Sequence, residues 1–199
     1  MDLNLKNKQV VVIGGTYGIG FSISKGFLDE GSNVHIVARN SKNKVSNQLK
    51  DNYKNQVNFY ESDATNFDSL SQTGDEILLN SNDKIDILIS NVGNGSVKDD
   101  PLYSELEWNN SWNINFNSAL NVTRVFSNIL TRCRGSMIFI SSIAGLEYVG
   151  APISYSTSKM ALNSFAKTLS HKLAPHVRVN IIAPGNIWVK DGVWDKKQK

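Results

Sequence analysis

The fold of this chain is decided by residues 10–20, which read Val-Val-Val-Ile-Gly-Gly-Thr-Tyr-Gly-Ile-Gly. The four β-branched residues predict a buried strand, and the glycines lead directly into a segment of helical periodicity. In such a loop one glycine permits a tight turn, another lets the backbone approach a pyrophosphate, and another allows the helix to pack closely on the strand. Backbone N–H groups and the helix dipole at that point favour anionic phosphates. We therefore predict that a dinucleotide binds at this loop, in contact with Gly14, Thr16, Tyr17, Gly18, Ile19 and Gly20.

Outward from this loop, short apolar runs alternate with longer segments of helical periodicity. Strands are predicted at Val10–Gly14, Asn33–Ala38, Val57–Ser62, Ile85–Ser90, Ser136–Ser141 and Val177–Ala183. Helices are predicted at Ile19–Glu30, Ser41–Tyr53, Ser69–Leu79, Ser104–Leu130 and Ser154–Leu173. Strands that are apolar through their middles are typical of parallel sheets covered on both faces. The alternation therefore predicts one α/β domain over residues 1–199, with a Rossmann-type, doubly wound, mostly parallel sheet and helices on both faces.

The composition excludes several classes of protein. The net charge is only +3 and the basic residues are scattered, so we expect no nucleic-acid partner. With a single cysteine, Cys133, neither an internal disulfide nor a cysteine metal cluster can form, and we expect no metal site. The N-terminus lacks the apolar run of a signal peptide, and no segment approaches the ~18 consecutive apolar residues of a membrane span. We therefore expect a soluble, cytoplasmic protein that does not bind membranes.

A group of polar residues in the second half of the chain suggests catalysis. Tyr155 and Lys159 lie four residues apart in a predicted helix, so they share one face, one turn apart. A phenol titrates near pH ~10, and an adjacent ammonium shifts its pKa toward neutral pH. Ser142 lies at the carboxyl end of the fifth predicted strand, where a hydroxyl can polarise a carbonyl group. Ser141 is the alternative, but its side chain should point to the opposite face of the strand.

These motifs resemble the short-chain dehydrogenase/reductase family. Its glycine loop has the spacing Gly-x-x-x-Gly-x-Gly, and its catalytic serine precedes the tyrosine by thirteen residues, as Ser142 precedes Tyr155. The resemblance implies an enzyme that transfers hydride between a nicotinamide cofactor and a small-molecule carbonyl or secondary alcohol. In such an enzyme Ser142 orients the carbonyl, Tyr155 supplies or takes the proton, and Lys159 lowers the pKa of Tyr155 and holds the nicotinamide ribose. Asn115 resembles the family's asparagine that holds a water feeding protons to the lysine, with two neighbouring asparagines as alternatives.

The resemblance also implies how the cofactor is held. Arg39 follows the second predicted strand, where NAD-binding relatives often carry an acidic residue, and a guanidinium there suits the extra phosphate of NADP. Because Tyr17 stands where NADP users often have a second basic residue, NADP(H) is the preferred expectation and NAD(H) the alternative. Asp63 matches an acidic residue beside the adenine ring, although it is equally placed to cap the following helix. The remaining implied contacts are Ala64, Asn91, Gly93, Tyr155, Lys159, Pro184, Gly185 and Ile187.

The end of the chain departs from the family pattern. Val189 occupies the position of a threonine, which puts one side-chain hydrogen bond to the cofactor in doubt. Family members usually continue with a helix pair over the substrate and a seventh strand, so we expect a shortened chain that lacks the usual last strand. The stretch 180–195 resembles a subgroup often labelled 3-oxoacyl-carrier-protein-reductase-like.

Two other functions and an assembly remain open from the sequence. A shortened chain is also consistent with a cofactor-binding module without turnover. A sugar-nucleotide epimerase or dehydratase is a third hypothesis, because those relatives share the Tyr-x-x-x-Lys pair. The two long predicted helices, Ser104–Leu130 and Ser154–Leu173, resemble those that form interfaces in the homodimers and homotetramers of the family.

Overall fold

The computed structural model describes residues 2–40, 44–96 and 104–189, which form one six-stranded sheet with helices on both faces. The strands are β1 (Gln9–Ile13), β2 (Asn33–Ala38), β3 (Val57–Glu61), β4 (Ile87–Ser90), β5 (Ser136–Ile140) and β6 (Arg178–Ile182). Their order is β3-β2-β1-β4-β5-β6, and every pairing among these strands is parallel. The chain runs outward from β1 to β3 and then returns to β4, so the direction of winding reverses between β1 and β4. In open α/β sheets, ligands bind beyond the carboxyl ends of the strands at such a reversal.

The helices bury both faces of the sheet. They are α1 (Gly18–Asp29), α2 (Lys44–Tyr53), α3 (Phe67–Asn80), α4 (Glu105–Trp112), α5 (Ser118–Cys133) and α6 (Ile153–Leu173). Because side chains alternate along a strand, Val10 and Val12 of β1 join a core with α1 and α2, whereas Val11 joins a core with α3, α5 and α6. All three valines are fully buried. The prediction of a parallel sheet covered on both faces is therefore confirmed.

The long helix predicted at Ser104–Leu130 is more complex than expected. Ser104 is the N-cap of α4 and forms a capping box with Glu107, so the helix begins one residue later. A π-helical turn, Asn113–Asn117, then joins α4 to α5, which continues to Cys133. A π turn accommodates one additional residue within an otherwise helical segment. Apolar periodicity does not distinguish such a turn from a regular helix, which explains the difference.

Other boundaries shift by one to three residues. β1 ends at Ile13 because Gly14 adopts a φ of +80°, which is not a strand conformation. α3 begins at Phe67, two residues earlier than predicted, because the side chain of Asn66 caps it. β4 begins at Ile87 rather than Ile85. Residues 41–43 of the second predicted helix lie outside the described residues.

The edges of the sheet bear on the expectation that the chain lacks a last strand. Strands β3 and β6 are the outer strands of the sheet formed by the described residues. The absence of a further strand beyond β6 stays a prediction.

Among the described helices, none is both long and apolar enough to cross a membrane.

Candidate active site

The glycine loop connects β1 to α1 at the reversal of the sheet. Gly14 and Gly18 adopt φ values of +80° and +55°, which side chains rarely tolerate. Asn91, which follows β4, donates from Nδ2 to the carbonyl oxygen of Gly14 at 3.0 Å and so ties the loop to the neighbouring strand. Within the described residues, the first turn of α1 carries neither an acidic side chain nor a side-chain cap. Its backbone N–H groups are therefore suited to an anionic phosphate, as a dinucleotide requires.

Among the glycines of the loop, Gly20 has the least space for a side chain. A β-carbon there would lie 2.0 Å from the carbonyl oxygen of Gly14 and 2.5 Å from Nδ2 of Asn91. We expect Gly20→Ala to lower the free energy of unfolding by about 3 kcal/mol, since either the loop or the helix must move. We also expect it to abolish nicotinamide cofactor binding measured by titration.

Gly26 provides the matched control on the same helix. In the described structure a β-carbon at Gly26 would meet no atom within 4 Å. Gly26→Ala should therefore raise stability by about 0.5–1 kcal/mol through helix propensity and leave cofactor affinity unchanged. Equal cofactor affinity in the Gly20→Ala and Gly26→Ala proteins would contradict the proposed role of the loop.

A cavity of about 850 Å³ lies beyond the carboxyl ends of β1 to β4. Eight of the predicted cofactor residues line it: Gly14, Thr16, Tyr17, Arg39, Asp63, Ala64, Asn91 and Gly93. Asp63 does not cap α3, because that cap is Asn66. Instead, Oδ1 of Asp63 accepts hydrogen bonds from the backbone N and the Oγ1 of Thr65, at 2.9 and 2.8 Å, and closes a turn beside the cavity.

A second cavity, of about 760 Å³, lies on the other side of the glycine loop and shares Thr16 and Tyr17 with the first. Its lining includes Gly18 and Ile19 from the loop, and Pro184 and Ile187 from the segment after β6. Val189 also lines it, and a methyl group of Val189 would be 3.6 Å from a β-carbon on Gly18. An apolar contact thus stands where the resemblance implied a threonine hydroxyl. Gly185 lies nearby, against Ile143, where a β-carbon would be 3.7 Å from the Ile143 side chain.

Tyr155 and Lys159 lie in the first half of α6, one turn apart. Lys159 is only 2% exposed, and its Nζ donates to the carbonyl oxygen of Ile140 at 3.1 Å and lies 5.9 Å from the centroid of the Tyr155 ring. Burial lowers the pKa of Lys159 to about 8. Burial also raises the pKa of Tyr155, and a hydrogen bond with Ser142 opposes that rise. The hydrogen bond with Ser142 thus favours the ionised phenol, against the effect of burial.

The two adjacent serines face different partners. Ser142 begins a 3-10 turn, Ile143–Gly145, in which its Oγ accepts a hydrogen bond from the N–H of Ala144 at 3.2 Å, and it also contacts Tyr155. Ser141 is buried, and its Oγ donates to the carbonyl oxygen of Lys159 at 3.4 Å. The alternation expected from an extended backbone therefore places Ser142 at the tyrosine and leaves Ser141 in contact with the backbone of α6.

Asn115 lies in the π turn and is 1% exposed. Its Oδ1 accepts from the N–H of Asn94 at 2.8 Å, and its Nδ2 donates to the carbonyl oxygens of Asn94 and Ser111 at 3.1 and 2.9 Å. This clamp holds the loop after β4 against Lys159. The loop can lie this close to Lys159 and Asn115 because residue 93 is a glycine. A β-carbon on Gly93 would be 3.0 Å from Nζ of Lys159 and 3.2 Å from Oδ1 of Asn115.

The neighbouring asparagines are occupied elsewhere. Asn117 donates from Nδ2 to Oδ1 of Asn113 at 3.3 Å, one turn apart on the helical surface. Of the three candidates, Asn115 is thus the one that contacts the loop beside Lys159. The sequence did not predict a similar role for Asn121. This residue of α5 forms hydrogen bonds to the backbone of the loop after β3. An isolated polar residue in an amphipathic helix carries no signal that would have identified it.

A fully parallel sheet with a glycine loop at its reversal, and a tyrosine–lysine pair nearby, is typical of nicotinamide-dependent oxidoreductases. Comparison with known proteins makes this class more specific. Residues 8–194 match the model of the short chain dehydrogenase family. The chain therefore belongs to the short-chain dehydrogenase/reductase family, whose members are NAD(P)-dependent oxidoreductases that act on carbonyl and alcohol groups. The predictions of an oxidoreductase and of this family are confirmed.

Individual relatives agree with this assignment. The chain is 35% identical over 190 residues to the 3-oxoacyl-[acyl-carrier-protein] reductase FabG of Chlamydia trachomatis, covering 92% of this chain and 75% of that protein. Among solved structures, the RhlG/NADP active-site complex of Pseudomonas aeruginosa aligns with a TM-score of 0.86 at 26% identity, over 94% of this chain and 75% of that one. The NADPH-dependent 3-quinuclidinone reductase of Rhodotorula rubra gives the same TM-score and identity, over 97% of this chain and 74% of that one. The predicted 3-oxoacyl-carrier-protein-reductase-like subgroup is therefore supported.

Proposed function

We propose that the chain is an NADP(H)-dependent reductase that transfers hydride between the nicotinamide and a small-molecule carbonyl or secondary alcohol. The observation that carries the proposal is the position of the Tyr155 ring, whose centroid lies 5.9 Å from the buried Nζ of Lys159. The effect of the Ser142 hydroxyl on the pKa of the phenol supports the same grouping. This group lies at the same end of the sheet as the glycine loop and its two cavities. The proposal is also supported by the similarity to one protein solved as an NADP complex and to another described as NADPH-dependent.

In the proposed reaction, Ser142, Tyr155 and Lys159 each have a separate role. Bound NADPH supplies the hydride. Ser142 donates a hydrogen bond to the carbonyl oxygen of the substrate and orients it. As negative charge develops on that oxygen, the phenol of Tyr155 donates its proton, and in the oxidative direction it takes the proton back. The ammonium of Lys159 stabilises the phenolate that remains, in a site where burial strengthens the attraction between the two charges.

The test is NADPH oxidation with a panel of carbonyl compounds that includes 3-oxoacyl thioesters, together with thermal unfolding in the presence of NADPH. We expect a raised Tm with NADPH and turnover with at least one carbonyl. A raised Tm without any turnover would favour the cofactor-binding module. The absence of both effects would contradict the proposal.

Arg39 is expected to select NADP over NAD. It follows Ala38 at the carboxyl end of β2 and lines the larger cavity, where a guanidinium can pair with the extra phosphate of NADP. We expect Arg39→Ala to raise the KM for NADPH by about 10–100-fold, as for loss of a charge-assisted hydrogen bond, with little change in the KM for NADH. Steady-state kinetics with both cofactors measure this.

Arg178 provides a control of equal charge. It is exposed and begins β6, at the opposite end of the sheet from the cavity. Arg178→Ala should leave both KM values within about twofold, since the charge it removes lies far from the phosphate. An equal rise for NADPH and NADH in Arg39→Ala would argue against a contact with the extra phosphate.

Three other expectations stay predictions. We propose that the whole of residues 1–199 acts as a single cofactor-binding domain. We also propose homodimers or homotetramers with the α4–α5 segment and α6 at the interfaces, as the resemblance to the family implies. A cytoplasmic location is the third of these predictions.

A further inference from the structure

Asn121 joins α5 to a loop that is distant from it in the sequence. Its side chain is 7% exposed, and its Nδ2 donates to the carbonyl oxygens of Ala64 and Thr65 at 3.1 and 3.3 Å. These two oxygens belong to the segment between β3 and the N-cap of α3. A buried carbonyl group that loses its partner costs about 1–3 kcal/mol, so this contact is a specific attachment and not an incidental one.

The loop that Asn121 holds forms one wall of the larger cavity. Ser62, Asp63, Ala64 and Thr65 all line it. The side chain of Asp63 shapes the loop internally, through its two bonds to Thr65. That local turn does not determine how deep the loop lies. Two contacts with the rest of the protein hold the loop at its depth. Ala64 packs into the core below the loop, and the amide of Asn121 donates to the loop from the side.

The same helical segment also holds the other wall of this cavity. Six residues before Asn121, in the π turn that precedes α5, Asn115 clamps the backbone of Asn94 in the loop after β4. At about 1.5 Å per residue, the two amides are separated by about 9 Å along the helix. One rigid segment therefore fixes the loops after β3 and β4 relative to each other, and with them the width of the cavity between the two walls.

We propose that Asn121 is a positioning residue for the adenosine half of the cofactor. It holds the Ser62–Thr65 loop at the depth at which Asp63 and Ala64 meet the adenine ring. The inference rests on the proposed cofactor-dependent function, and it adds a residue that acts through the loop without touching the cofactor.

The experiment compares Asn121→Leu and Asn121→Ser with wild-type protein. Leucine keeps the branched shape of the asparagine side chain at a larger volume and removes both hydrogen bonds, whereas serine is smaller, too short to reach the loop, and adds no apolar surface. We expect each variant to raise the Kd for NADPH and for 2′,5′-ADP, the adenosine half of NADP, by about tenfold. At saturating NADPH, kcat should stay within about twofold of wild type, because Ser142, Tyr155 and Lys159 are unchanged.

Thr123→Val is the matched control. Thr123 is equally buried on α5, and its hydroxyl donates to the carbonyl oxygen of Ala119 in its own helix, at 2.9 Å. It lies outside the cavity lining. The control should lower Tm without changing the Kd for 2′,5′-ADP. Amide hydrogen exchange should accelerate at residues 63–65 in the Asn121 variants and not in the control.

The outcomes separate the possible failures. If Asn121→Leu does not fold, Asn121→Ser carries the comparison, and hydrogen exchange reports the loop in that variant. Unchanged affinity for 2′,5′-ADP in the Asn121 variants, or an equal loss in Thr123→Val, would overturn the inference while leaving the proposed function intact. A wild-type protein that binds neither NADPH nor 2′,5′-ADP would overturn both.

Discussion

Replacing Tyr155 with phenylalanine is expected to lower kcat for carbonyl reduction by about a thousandfold, within the range that a positioned general acid contributes. The substitution removes one hydroxyl and keeps the ring, which lies near the Lys159 ammonium and beside Gly95. The affinity for NADPH should change little, because the ring still fills the same space. Stopped-flow and steady-state measurements of NADPH oxidation, with an independent binding titration, separate the loss of proton transfer from any loss of binding.

Ser142 and Ser141 provide the internal comparison for this prediction. Ser142→Ala removes the hydroxyl in contact with Tyr155, and we expect a loss in kcat of about a hundredfold, as for one donor to a developing oxyanion. Ser141→Ala removes a hydroxyl that bonds to the backbone of α6, and kcat should stay within a few-fold of wild type. Equal rates for Tyr155→Phe and wild type, or equal losses for the two serine variants, would refute the assignment of these roles.

The positions of the two serines show what a sequence pattern can predict about geometry, while their catalytic roles stay predictions. Alternation along a strand places Ser141 and Ser142 on opposite faces, and the thirteen-residue offset from Tyr155 that Ser142 shares with the family indicates which of them faces the tyrosine. The glycine loop is predictable for a similar reason, since its backbone conformation restricts which residues fit, as the 2.0 Å approach at Gly20 illustrates. Both features depend on local backbone geometry, which residue types reveal directly.

Contacts between elements distant in the sequence were not predictable in this way. Asn115 was selected through a resemblance, but its contact with Asn94 depends on the π turn, which apolar periodicity does not reveal. Asn121 carried no signal at all. The same holds for His35 of β2, which is 1% exposed and bonds to Tyr60 and Gln9 at 3.1 and 3.0 Å. Burial lowers the pKa of this histidine to about 4, so it is neutral near pH 7.

The electrostatics of the tyrosine–lysine pair also depend on burial more than on spacing. A spacing of four residues predicts that the ammonium lowers the pKa of the phenol. In the structure, desolvation is the largest cause for both groups, and it raises the pKa of Tyr155 and lowers that of Lys159. The Nζ of Lys159 points to the carbonyl oxygen of Ile140. The degree of burial, and therefore the dominant cause, is a property of the packed structure.

Lys159 should therefore reduce the stability of the fold while it supports the chemistry. Burial lowers its pKa from 10.5 to about 8. Above pH 10.5 the amine is neutral in both the folded and the unfolded chain. As the pH falls from 10.5 to 8, the unfolded chain binds a proton that the folded chain does not, so this group lowers the free energy of unfolding by about 3 kcal/mol. Below pH 8 the cost is constant, because both states are protonated.

Lys159→Met should accordingly change stability and activity in opposite directions. Removing the buried charge should raise the free energy of unfolding at pH 7 by about 1–2 kcal/mol, after the lost hydrogen bond to Ile140 is subtracted, while kcat falls about a thousandfold. Between pH 7 and pH 9.5 the wild type should gain about 2 kcal/mol relative to the variant, measured by urea unfolding at each pH. Lys167→Met, on the exposed side of the same helix, should alter neither quantity by more than about 0.5 kcal/mol or twofold. A Lys159→Met protein that is less stable at pH 7 would contradict the stability cost assigned to the buried ammonium. A variant that keeps wild-type kcat would contradict its role as the partner of the Tyr155 phenolate.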